Sequence, residues 1–95
     1  MKNSESTFYA RVSGNSMENA GISDGDLLVI DRSLDPTNNK IAVCYLDGDF
    51  TVKRLSMENG VLYLKPENKN YEKIKICEEN KLIIWGVVTY VIKSV

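Results

Sequence analysis

The sequence predicts a mostly β protein: a compact, curled antiparallel β domain with at most a short helical turn. Three observations predict it. Seven short runs are rich in Val, Ile, Leu, Tyr and Thr, and Asp-Gly or Asn-Gly turn signals separate several of them. The chain has 95 residues, enough for one domain with one modest core. Strands this closely spaced favour a curled all-β architecture over a parallel α/β sheet, which needs a long crossover between strands.

The elements follow in order. The first strand spans residues 8–12, and the turn V-S-G-N-S-M comes directly after it. Residues 16–20 are the one helical candidate, and five residues are too few to hold a helix without tertiary support. Asp24-Gly25-Asp26 turns the chain into a strand at 27–31, and Asp35-Pro36-Thr37-Asn38-Asn39 reads as a polar loop. Strands at 41–46 and 50–55 flank Asp47-Gly48-Asp49, which predicts an antiparallel hairpin. Glu58-Asn59-Gly60 is a further turn before a strand at 61–64. The loop Lys65-Pro66-Glu67-Asn68-Lys69-Asn70 and a strand at 73–76 come next. The last run, 83–92, is apolar on both alternating faces, so it is expected either to be buried on both sides or to be covered by a second subunit.

Composition excludes several functions. A formal net charge of -1 lacks the basic excess that phosphate backbones attract, so direct nucleic-acid binding is not expected. No apolar run approaches the roughly 20 residues that span a bilayer, and residues 1–6 are polar, unlike a secretory signal. The expectation is a cytoplasmic protein with no membrane attachment. Cys44 and Cys77 have no histidine companions, which argues for two reduced thiols and no metal site. Asp24 and Asp26 flank Gly25 as turn residues and not as metal ligands, and no cofactor is implied. Arg32 and Arg54 read as surface ion-pairing residues, and Tyr63, Tyr71 and Tyr90 as core or interface residues.

A chain without histidine must find another base if a serine is to act as a nucleophile. Alternation along F-T-V-K-R-L places Thr51, Lys53 and Leu55 on one face and Phe50, Val52 and Arg54 on the other, so Lys53 and Arg54 point opposite ways. A lysine serves as a base only when neutral. Bringing its pKa from near 10.4 to about 7 requires burial to disfavour the ammonium by roughly 4 to 5 kcal/mol, a demand that buried lysines meet. Such an amine takes the proton of a serine hydroxyl held within hydrogen-bond distance, and the reaction is acyl transfer. In this reading Gly14 permits a tight turn presenting Ser16, the main-chain N–H groups of Asn15 and Ser16 are the oxyanion donors, and Met17 is an apolar wall.

The ordered pattern S-G-N-S-M-E-N-A-G-I-S-D-G-D-L-L-V-I-D-R-S, then D-G-D-F-T-V-K-R-L, L-K-P-E-N-K-N-Y and W-G-V-V-T-Y-V-I, resembles the peptidase domain of the LexA and UmuD family of self-cleaving SOS-response proteins, most closely its UmuD branch. The resemblance runs from about Phe8 to the C-terminus, which divides the chain into a residual arm at 1–7 and a serine–lysine peptidase domain at 8–95. It implies Ser16 as nucleophile, Lys53 as general base and Gly21 as a site-shaping turn residue. It also implies a fold shared with signal peptidases, a homodimer, and cleavage of a small-Gly bond in the protein's own N-terminal arm, promoted by a RecA filament. The trimmed dimer then joins a UmuC-type translesion polymerase.

Two positions depart from the family pattern. Asn15 stands where an acid is frequent, and Asn38-Asn39-Lys40 replaces a glycine and acid before strand 41–46. None of the residues before Phe8 forms an Ala-Gly or Cys-Gly bond, and Ala20-Gly21, the sole Ala-Gly pair, reads as turn chemistry after the nucleophile. The expectation is a trimmed product or a segment lacking the arm. The other readings are a polymerase accessory subunit whose catalytic pair is spent, and the C-terminal dimerisation and self-cleavage domain of a LexA-like or phage repressor.

Overall fold

The computed structural model describes residues 4–95, so residues 1–3 of the expected arm lie outside the described residues. Ser4–Ser6 form a 3-10 turn, and Thr7 already belongs to the first strand. Seven strands follow: β1 (Thr7–Arg11), β2 (Leu27–Asp31), β3 (Ile41–Leu46), β4 (Asp49–Glu58), β5 (Val61–Lys65), β6 (Ile74–Lys75) and β7 (Leu82–Ile92). All form one antiparallel sheet in the order β1-β2-β7-β3-β4-β5-β6. The helical candidate shrinks to a 3-10 turn at Glu18–Ala20, and no α-helix occurs among the described residues.

The hairpins sit where local chemistry puts them. Asp47 (φ 48) and Gly48 (φ 98) are both left-handed between β3 and β4, as a two-residue turn matching the twist of its strands requires, and Asn59 (φ 51) and Gly60 (φ 79) repeat the device between β4 and β5. β4 runs past the expected limit at Leu55 as far as Glu58, because its second half pairs with β5. β6 is shorter than the run at 73–76 suggested, with two paired residues.

β7 is the centre of the fold. It lies between β2 and β3, and its register slips once against each: Val29 and Ile30 face Tyr90 and Val88, while Val43 and Cys44 face Gly86 and Ile84. Thr89 and Trp85 are therefore the extra residues, and such bulges bend a strand and increase its twist. The curl is visible in what meets across it. In a flat sheet β1 and β4 would stand about 19 Å apart, four spacings of about 4.8 Å. Instead Ala10 and Val12 line the same cleft as Thr51 and Val52.

Two apolar clusters cover the two faces. Met17, Ile22, Leu28, Ile30 and Val43 form one, and Ala42, Cys44, Leu55 and Leu64 the other. β3 contributes to both, which is why its sequence is apolar without alternation. Leu28 and Ile30 are fully enclosed, and burying each contributes about 1.5 to 3 kcal/mol. The expected double burial of the last strand holds only for its middle: Gly86 and Val87 are buried, while Ile83, Tyr90 and Ile92 are exposed.

Candidate active site

β1 delivers the chain to a turn in which Gly14 takes φ +89, a conformation that a side chain would strain. Asp24 holds this turn, its carboxylate accepting the Gly14 N–H at 2.7 Å, while the Asn15 side-chain oxygen accepts the Asp24 N–H at 3.3 Å. Beyond it Met17 is buried against Leu28 and Val43, and Gly21 closes the short 3-10 turn in a left-handed conformation, donating to Glu18 O at 3.0 Å. Ser16, between the pinned glycine and the buried methionine, is half-buried.

Lys53 approaches from β4. It is 7% exposed, and its Nζ lies 3.0 Å from Ser16 Oγ, 2.6 Å from Thr51 Oγ1 and 3.2 Å from the carbonyl oxygen of Val52. Burial pushes its pKa below the ordinary lysine value, with a smaller opposing pull from the nearby Cys44 thiol. That thiol is itself pushed up to about 11 by burial, so it stays neutral at physiological pH. None of the ion pairs among the described residues involves Lys53. A desolvated amine without a carboxylate partner has its neutral form favoured.

The cleft beside this pair encloses about 430 Å³ and is lined by Ser13, Gly14, Ser16, Met17, Tyr9, Val12, Phe50, Thr51, Val52 and Trp85 among others. In its aromatic wall Phe50 and Trp85 stand edge to face with ring centroids 6.3 Å apart, and Phe8, outside the lining, packs edge to face on Trp85 at 5.1 Å. Among the described residues, neither the Asn15 nor the Ser16 N–H is taken by an acceptor. No cluster of His, Cys, Asp and Glu capable of holding a metal occurs among the described residues.

The structure thus brings Ser16, Lys53, Gly14 and Met17 together, with Gly21 one turn away. It adds residues that sequence reasoning missed. Thr51 was placed on the face of Lys53 by alternation, but nothing marked its hydroxyl as an acceptor for the amine. Asp24 holds the serine turn as well as its own. Glu67 and Asn68, in what read as a plain polar loop, bond to Ser16 O and Asn15 O.

Other expectations change. Arg54 forms the expected ion pair, with Glu67 at 2.6 Å, but Arg32 lies over the Trp85 ring at 4.5 Å and donates to the Trp85 carbonyl at 2.8 Å. Tyr71 and Tyr90 are exposed, outside the core, and Tyr63 packs against the Lys73 amine. Cys44 and Cys77 are both free, the first buried and the second exposed. No helix among the described residues is long and apolar enough to cross a membrane.

A single curled β-sheet thus sets the Ser16 hydroxyl against the buried Lys53 amine at the side of an apolar cleft. Residues 1–89 match the Peptidase S24-like family, and the chain belongs to it. The members of that family are self-cleaving serine peptidases. Among its relatives, Protein MucA of Salmonella typhimurium is 42% identical over 91 residues, which is 95% of this chain and 62% of MucA. Protein ImpA of the same species is 44% identical over 86 residues, 90% of this chain and 58% of ImpA. The LexA repressor of Clostridium perfringens is 45% identical over 74 residues, 78% of this chain and 36% of the repressor. The chain therefore spans about three fifths of the length of MucA and ImpA and about a third of that of LexA.

Proposed function

We propose that this chain is the self-cleaving peptidase domain of a UmuD-type SOS-response protein, with Ser16 as nucleophile and Lys53 as general base. The observation that carries the reading is the 3.0 Å separation of Lys53 Nζ from Ser16 Oγ at an amine that is 7% exposed. Ser16 Oγ attacks the carbonyl carbon of a small-Gly peptide bond in the protein's N-terminal arm, and its proton passes to Lys53 Nζ. The Asn15 and Ser16 N–H groups receive the charge that develops on the carbonyl oxygen. Lys53 then returns the proton to the departing amine, leaving an ester on Ser16. Water cleaves the ester, again through Lys53.

RecA filaments promote the reaction, and the trimmed homodimer serves a UmuC-type translesion polymerase as an accessory subunit, acting without cofactor and without direct contact to nucleic acid. Similarity to MucA and ImpA over nearly the whole chain supports the UmuD branch. The test uses the complete gene product, with its arm, incubated with RecA, single-stranded DNA and ATP. Time-dependent cleavage that is lost in both Ser16→Ala and Lys53→Ala supports the proposal, and undiminished cutting in Lys53→Ala removes that residue from the mechanism.

The match to a LexA repressor favours a second reading, the C-terminal dimerisation and self-cleavage domain of a repressor. The gene upstream of Met1 separates the two: a helix-turn-helix segment supports the repressor, and a short arm without helices supports UmuD.

A further inference from the structure

Ser16 sits in a turn whose peptide groups are gripped from outside. The Glu67 N–H donates to Ser16 O at 2.8 Å, the Asn68 side-chain amide donates to Asn15 O at 2.8 Å, and the Asn19 N–H donates to Glu67 O at 2.7 Å. The carbonyls on both sides of the Ser16 N–H are thus held by two consecutive residues of the loop between β5 and β6. Asn68 is itself braced, since its side-chain oxygen accepts the Asn70 N–H at 2.9 Å.

The same loop is tied to the strand that carries the amine. Arg54, next to Lys53 on β4, donates from Nε to Glu67 Oε1 at 2.6 Å, and its other guanidinium arm reaches Asn39 O at 2.7 Å. Arg54 also faces Lys65 in the β4–β5 register, one strand residue before the loop begins. One ribbon, β4 with β5, therefore carries both the amine and the clamp on the hydroxyl's turn. The separation of Ser16 and Lys53 is therefore set by a short path through that ribbon in addition to the longer one through β1, β2, β7 and β3.

We propose that the loop Pro66-Glu67-Asn68 holds Ser16 at hydrogen-bonding distance from Lys53, with Glu67 and Asn68 as its positioning residues and the Arg54–Glu67 pair as its anchor. The proposal rests on Ser16 and Lys53 being the reacting pair. A misplacement of about 1 Å costs up to about 100-fold in rate, so loss of the Asn68 grip or of the Glu67 anchor is expected to be large although neither residue lines the cleft.

The test follows labelling of the chain by a fluorophosphonate, in which Ser16 Oγ bonds to phosphorus, fluoride leaves and Lys53 takes the proton. Adduct formation is read by intact mass across pH, with thermal melting measured on each variant. Asn68→Ala and Glu67→Ala are expected to label about 10- to 100-fold more slowly, with the pH inflection and the melting temperature kept. Glu67→Gln, which still accepts from Arg54, is expected to recover most of the rate. A general loosening would instead lower the melting temperature and move the inflection upward as Lys53 becomes wet. Should Asn68→Ala fail to fold, Asn68→Asp keeps the shape and the acceptor for Asn70 but cannot donate to Asn15, and it decides the matter. Wild-type labelling in the loop variants, with Ser16→Ala and Lys53→Ala both blocked, overturns the positioning role alone. Wild-type labelling in Lys53→Ala overturns the reacting pair and the clamp with it.

Discussion

The Lys53 amine and the Cys44 thiol belong to the same buried face of the β3–β4 ladder, where Ala42 pairs with Lys53 and Cys44 with Thr51. Burial raises the thiol to about 11 and so keeps it uncharged at physiological pH, while it lowers the amine, and the pull of each group on the other is the smaller effect. The pocket favours the neutral amine by withholding water, and none of the ion pairs among the described residues holds it charged.

Self-cleavage should therefore follow the fraction of neutral Lys53. The rate is expected to rise with pH and to reach half its plateau below 10.5, the ordinary lysine value, because burial depresses the pKa. An acid introduced as Cys44→Asp places a carboxylate beside the amine, and should move the midpoint upward. A pH–rate profile of both proteins checks this, and a wild-type midpoint at or above the ordinary value would sink it.

The same depression has a consequence for folding. The unfolded chain binds a proton at Lys53 more readily than the native one, so stability should increase with pH up to the ordinary lysine value. Lys53→Met removes the desolvated amine, and is expected to melt at a higher temperature than the parent at pH 7, with the gap closing above pH 10 or so. Calorimetry at the two pH values is the measurement.

Thr51 Oγ1 is the nearest hydrogen-bond partner of Lys53 Nζ, at 2.6 Å. Thr51→Val keeps the shape and removes the acceptor, which at about 1 kcal/mol for one hydrogen bond predicts cleavage about fivefold slower, with Thr51→Ser near the parent rate. Equal rates in Thr51→Val and the parent would show that the hydroxyl does not orient the amine.

Gly86 is a packing residue. A Cβ there would stand 2.5 Å from Ile30 Cγ2 and 3.3 Å from Arg32 Cγ. Gly86→Ala should destabilise by about 1 to 3 kcal/mol in urea titrations, as overpacking does, and Ile30→Leu in that background, whose unbranched Cβ carries no Cγ2, should restore part of the loss. Additive losses in the double variant would show that the two positions do not compete for space.

Asp26 is held below the ordinary carboxylate pKa, chiefly by the Lys93 amine at 2.5 Å and then by the Ser23 N–H. A depressed carboxylate contributes stability that is present above its unfolded pKa and is lost as pH falls through the folded one. Lys93→Ala is therefore expected to lower the melting temperature at pH 7, and the difference should fade as the medium is acidified below pH 3.8, the ordinary aspartate value. A gap that stays constant into acid would assign the loss to packing.

Short-range chemistry is legible in the order of the residues. Asp47-Gly48 and Asn59-Gly60 specify two-residue hairpins whatever surrounds them, and the β-branched runs then pair as antiparallel neighbours. The motif around Ser16 and the strand bearing Lys53 were legible because each is a contiguous pattern. Tertiary structure alone decided that these two side chains, 37 residues apart, stand 3.0 Å from each other. It also decided that Thr51 accepts a hydrogen bond from the amine and that Asn68, 53 residues from Asn15, donates to the serine turn. A polar residue in a loop has no periodicity to betray its partner. Its hydrogen bond exists only once the bulged β7 has curled the sheet and brought distant backbone carbonyls within reach.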